Sequence, residues 1–145
     1  MGKDPYRDGL LKKNPYAKKV SVSGHTVVVL ESKIDNRELT LIPAASRAVK
    51  KYDIHELIFT DELTAGPGAT VNRIAYGGFV EIETGGVLIV GEKMYCQGRP
   101  LGEIAGFDET HTPNHLNIVL KSDLYQDGVE MGLELGDELV FRTGC

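Results

Sequence analysis

Short apolar runs, alternating or continuous, each closed by a glycine- or proline-rich turn, set the rhythm of this chain. Val20 to Glu31 is rich in β-branched residues and reads as a strand, as does Ile54 to Thr60. Beyond Tyr76-Gly77-Gly78 the pattern is steadily β. Phe79 to Glu83 alternates, which places Val80 and Ile82 inward and the glutamates outward. Thr84-Gly85-Gly86 turns the chain into a continuous apolar strand, Val87 to Val90. Glu92 to Cys96 leads to a turn at Gln97-Gly98-Arg99-Pro100, and Leu101 to Phe107 returns. Leu116, Ile118 and Leu120 then share one face, with His115, Asn117 and Val119 on the other. Leu133 to Arg142 reads as a closing hairpin or barrel strand.

Residues 42–52 break this pattern and predict the chain's one short helix. Pro43 suits a first helical position, alanine and lysine have good propensity, and Lys50-Lys51 falls in the last turn. Residues 1–19, with Pro5, Gly9 and Pro15, predict an irregular arm. Many short strands, one helix and no strand–helix alternation predict a mainly β fold. The expected architecture is a small antiparallel barrel, closed or partly open, forming a single domain over residues 20–145.

Composition adds bounds. A chain of 145 residues, 41% hydrophobic and 26% charged, can bury a core without staples. No apolar run approaches the roughly 18 residues that cross a bilayer, and the N-terminus lacks a secretory h-region, so no membrane partner is expected. The two cysteines, Cys96 and Cys145, form no disulfide framework and fit a reducing cytoplasm. The net charge of −5 is unevenly spread: residues 1–19 carry +4 and the remainder −9. An acidic body makes nucleic acid a poor main partner, whereas the basic arm suits packing on its own domain or on a neighbouring subunit of a homo-oligomer.

Candidate chemistry gathers in one polar interruption between two apolar runs, Asp108-Glu109-Thr110-His111-Thr112-Pro113-Asn114-His115. Pro113 makes a continuous helix through the two histidines improbable, so they do not form the one-face pair of a metalloprotease. A loop can still gather Asp108, His111 and His115, and an imidazole–carboxylate set suits zinc, iron or manganese. A divalent transition metal is therefore the candidate cofactor. Without a metal, His111 or His115 can act as general acid or base near neutral pH, oriented by Asp108 or Glu109. A plain rim turn, capped by Asp108 and stiffened by Pro113, is the structural alternative. A second loop, Gly66 to Arg73, has a Gly-Pro-Gly centre able to present backbone N–H groups to an anion. It is neither a P-loop nor a dinucleotide fingerprint, since no Gly-Lys-Ser/Thr follows and Val71 stands at the third glycine position.

From about Ile54 to Phe141, the order of features resembles the glucitol/sorbitol-specific IIA component of the sugar phosphotransferase system. The resembling elements are Glu56-Leu57-Ile58-Phe59, then Gly86 to Glu92 ahead of Tyr95, and Gly102 to Gly106. Asn114 to Leu120 and Gly136 to Phe141 complete the series. The resemblance implies a small β-barrel, and in that family a phosphocarrier role through a mid-chain histidine. No histidine lies between His55 and His111, so that residue has no counterpart. The chain looks more like a member of an uncharacterised bacterial family sharing the barrel.

The expectation is thus a cytoplasmic barrel that binds a small polar or anionic molecule between two loops. His111 and His115 would be ligands or acid–base groups and Asp108 would orient one of them. Gly66, Gly68, Asn72, Arg73, Glu109 and Asn114 would contact the ligand. The rivals are an oligomeric interaction module without a catalytic site, and a phosphocarrier-like domain.

Overall fold

The computed structural model describes residues 20–143; the arm expected over residues 1–19 lies outside them. Seven strands close a barrel: β1 (Val22–Val29), β5 (Ile54–Thr60), β7 (Ile74–Thr84), β9 (Lys93–Cys96), β10 (Arg99–Asp108), β11 (Asn117–Lys121) and β12 (Glu138–Arg142). Around the ring the order is β1-β12-β9-β10-β11-β5-β7, and β7 pairs back onto β1. The short β2 (Lys33–Ile34) adds to the free side of β7. Two small ribbons lie outside the ring: β3 (Leu39–Thr40) with β6 (Thr70–Val71), and β4 (Ser46–Val49) with β8 (Gly86–Ile89).

The barrel is mixed, not purely antiparallel as expected. β5 and β11 run parallel, Glu56 opposite Asn117 and Phe59 opposite Leu120. The chain leaves β5, travels through β7, β9 and β10, and returns alongside its starting point. Such a pairing requires a long crossover, and local residue patterns carry no record of it.

The expected helix over residues 42–52 is absent. Its centre is β4, antiparallel to β8, with Ala48 opposite Val87 and Val49 opposite Gly86. Helix propensities differ by only tenths of a kcal/mol among ordinary residues, so tertiary pairing overrides them. Here β4 buries Val49 and supplies partners to the apolar β8, whose edge a helix would leave open.

Two apolar clusters follow from strand alternation. One fills the barrel and includes Leu57, Phe59, Val80, Ile82, Phe107, Leu116, Ile118, Leu120 and Phe141. The other lies on the outer wall, where Ile58, Ala105 and Val119 are covered by Leu39, Leu41, Val71 and Ile74. Closure of the ring depends on Gly77-Gly78 in β7. A Cβ on Gly77 would sit 2.5 Å from the Phe59 ring, and one on Gly78 would sit 2.1 Å from Val28 O. At φ 152°, Gly78 also holds a backbone conformation that other residues rarely adopt. The registers with β1 and with β5 both shift near here, as a bulged, bending strand requires.

Candidate functional site

Residues paired across neighbouring strands point to the same side of a sheet. Asp108 pairs with Asn117, Asn117 with Glu56, and Glu56 with Phe79. These four therefore form one row across β10, β11, β5 and β7. It lies on the outer wall, one pleat from Val119 and Ile58 of the outer cluster. Asp108, Asn117 and Glu56 are buried although all are polar.

Asp108 spends its carboxylate locally. Oδ1 accepts from Thr110 Oγ1 at 2.8 Å, and Oδ2 accepts from Thr110 N at 3.2 Å and from Asn117 Nδ2 at 2.8 Å. A carboxylate facing the Asn117 amide demands a donor, which fixes the amide orientation. Asn117 Oδ1 then turns away from Asp108, and it is buried without a hydrogen-bond partner. Burying an amide oxygen unpaired is costly, and such a group calls for a physical explanation.

Glu56 continues the row. Burial pushes its carboxyl above the usual carboxylate range. The Asp108 charge adds to that shift, while His111 and Arg37 oppose it. His115 Nε2 lies 3.4 Å from Glu56 Oε1, close enough for an ion pair but without hydrogen-bond geometry, and it too is buried and unpartnered. The His115 ring meets the edge of Phe79 at 5.2 Å between centroids, and His111 lies over it at 5.0 Å. The two histidines of the polar interruption thus meet, and the carboxylate that faces His115 is Glu56.

The turn Glu109–Leu116 carrying these rings is tied to the body on both sides. Arg47 of β4 pairs with Glu109. His55 Nδ1 accepts the Leu116 N–H at 3.0 Å, and His55 Nε2 lies 3.2 Å from Asp53 Oδ2. A backbone N–H only donates, so His55 is neutral with its proton on Nε2. Burial holds the ring below the ordinary histidine range, against Asp53, which pulls it up; Arg47 and His115 add to the depression.

The second loop has its donors engaged within its own neighbourhood. Glu62 accepts from the N–H groups of both Asn72 and Arg73, at 2.9 and 2.7 Å, so the chain's own carboxylate occupies that pair. Arg73 forks onto Asp61 and lies over the Tyr125 ring, and Asn72 Oδ1 accepts from Glu38 N. Gly68 has φ 81° and Gly66 stands in open space, as turn positions do. Leu41 and Ile42 run between the two loops, hydrogen-bonded to Gly68 and Ala69 on one side and to Phe107 on the other. Among the described residues no hydrogen bond or ion pair joins the loops directly. Asn114 is exposed beyond the histidines, its N–H donated to His111 O.

Of the expected Asp108, His111 and His115 set, the two rings meet, and the Asp108 carboxylate is bonded to Thr110 and Asn117. Among the described residues no group of three or more His, Cys, Asp or Glu side chains is placed to hold a metal ion. No helix among those residues is long and apolar enough to cross a membrane. Two surface cavities lie apart from the polar row. One, of about 260 Å³, is bounded by Lys93, Glu103 and Lys121; the other, of about 200 Å³, by His25, Tyr52 and Glu81.

In comparison with known proteins, a model of a family of unknown function, DUF6917, matches residues 16–142. The chain belongs to that family. No curated protein and no solved structure matches it. This DUF6917 member therefore joins an uncharacterised family, and the match carries no link to the glucitol-specific IIA component. Sequence reasoning placed Asn117 beside His115 on one strand face but did not single out Glu56 or Arg47. A signal was present for Glu56: a carboxylate at the alternate position between Ile54 and Ile58, on one face of a strand.

Proposed function

We propose that this DUF6917 protein binds a small polar molecule at the Glu56–Asn117 pair, beneath the rings of His111 and His115. The observation that carries the reading is Asn117 Oδ1, a buried acceptor whose orientation Asp108 fixes and which no protein group satisfies. A ligand that fits brings an N–H or O–H to that oxygen. Glu56, with its raised carboxyl, offers a second polar contact one strand away, and the imidazole and Phe79 rings offer flat apolar walls. Acceptors beside the Asp108 charge disfavour a bare anion, so within the polar or anionic class a neutral hydroxyl- or amide-bearing molecule suits the row best. In this reading Asp108 is a positioning residue, His111 and His115 are contact or acid–base groups, and Glu109 anchors the turn through Arg47. Asn72 and Arg73, engaged by Glu38, Asp61 and Glu62, stand outside it.

The test is a titration of isotope-labelled protein with a polyol, a primary amide and inorganic phosphate, followed at the Asn117 side-chain amide and the histidine ring signals. Saturable movement with the polyol or the amide is expected, and its loss in the His111→Gln/His115→Gln double variant. Three flat titrations at millimolar concentration would sink the reading. A response to phosphate alone would favour the anion expected from sequence.

A further inference from the structure

The buried pair lies under a turn that holds its own shape. Thr112 donates twice to Glu109 O, and Asn114 N and His115 N both donate to His111 O. A segment bonded this way moves as a unit, and its attachments to the body are few. They are Arg47 to Glu109, Asp108 to Thr110, the His115 ring to Glu56 and Phe79, Glu56 N to Leu116 O, and Leu116 N to His55 Nδ1. Of these, the last alone uses a nitrogen lone pair that a proton can occupy near neutral pH.

We propose that Glu109–His115 is a lid over the Glu56–Asn117 pair, hinged at Leu116, whose side chain stays in the barrel core, and that the neutral ring of His55 is its acid-sensitive latch. The proposal rests on the binding reading only for what the lid covers. Protonation places a hydrogen on Nδ1 opposite the Leu116 N–H, so an attractive contact becomes two donors facing each other. The groups around the ring are Asp53 from the turn before β5, Arg47 from β4 with its partner Glu109, and His115 from the lid. Asp53 favours the cation; burial, Arg47 and His115 disfavour it, and together they prevail. The closed lid therefore binds a proton at His55 less readily than the open lid, where the ring meets water. Above the ordinary histidine value of 6.5 the latch is intact. As pH falls from there through the lowered value, the balance moves toward open.

Amide hydrogen exchange of the full chain, without ligand, tests this at about pH 7.5 and about pH 5.5, corrected for intrinsic rates. Protection at Leu116 and Glu56, whose N–H groups cross between lid and body, is expected to fall several-fold and by at most about tenfold at the lower pH, while the other amides of β5 and those of β7 hold theirs. In His55→Asn the side-chain oxygen can accept the Leu116 N–H but cannot titrate, so lid protection is expected to be the same at both pH values. In His55→Leu no acceptor remains, and lid exchange is expected to be fast at both. A lid that ignores pH in the parent overturns the proposal. So does an equal pH response in His55→Asn, or loss of protection by the whole barrel in step. If the lid responds as expected but no probe binds, the binding reading fails and the latch stands.

Discussion

Glu56 sits where the outer face of β5 would take another apolar residue, and its chemistry follows from that position. Burial raises its carboxyl, so the folded state carries the charge at a cost. A group raised on folding contributes most below its unfolded value, 4.5 here, and that contribution is lost as pH rises through the folded value. Replacing Glu56 with Gln should raise the melting temperature by a few degrees near pH 8, with the gain disappearing as pH falls below about 4.5. Thermal scans across that range check it, and a gain independent of pH would assign the effect to packing. Gly78 gives the opposite case, a position where adding one carbon breaks closure. Gly78→Ala meets Val28 O and a disfavoured φ, and should cost at least about 2 kcal/mol in urea unfolding. A loss below about 0.5 kcal/mol would show that β1 and β7 can move apart there.

At the scale of elements, the lid separates residues that hold structure from residues free to meet a ligand. Asp108→Ala removes three hydrogen bonds and strands the Asn117 amide, so a loss of about 1–3 kcal/mol is expected. The His111→Gln/His115→Gln pair should change the melting temperature by only a degree or two, because these rings give up no hydrogen bond to the body. If the double histidine variant proves the more damaging, the turn is a structural plug. Most strands were legible in the sequence because each alternates or runs apolar between turn residues; Ile54–Thr60 was placed to the residue. The segment around Ser46–Val49 was not, because its alanines and lysines favour a helix locally and only β8, far along the chain, makes it a strand. The polar interruption was legible as a cluster, and its two histidines do meet. Its carboxylate partner was not, because Glu56 reaches His115 through the parallel β5–β11 register, a contact between residues 59 positions apart that no local pattern encodes.

For the whole molecule, the closed ring and the two outer ribbons have different reasons to persist. The ring strands share both neighbours and the barrel core, whereas β3–β6 is a two-residue ladder and β4–β8 a four-residue one. Hydrogen exchange should therefore be slowest in β5, β7 and β11 and faster by at least about tenfold in β4 and β8. Equal protection would mean that the ribbons open only with the barrel. The Arg47–Glu109 pair ties a ribbon to the lid, yet both side chains are partly exposed, so Arg47→Gln should cost no more than about 1 kcal/mol.

The order of pairing around the ring also governs when the chain can fold. β1 finds its neighbours in β7 and in β12, whose residues 138–142 emerge from a ribosome long after β1 does. β5 in turn waits for β11 before its second edge is satisfied. During synthesis these early strands have unpaired edges that can join other nascent chains, and pairings so distant in sequence form slowly. For this protein the hazardous interval is birth: a growing chain ending before Glu138 has an open barrel, whatever stability the finished ring attains.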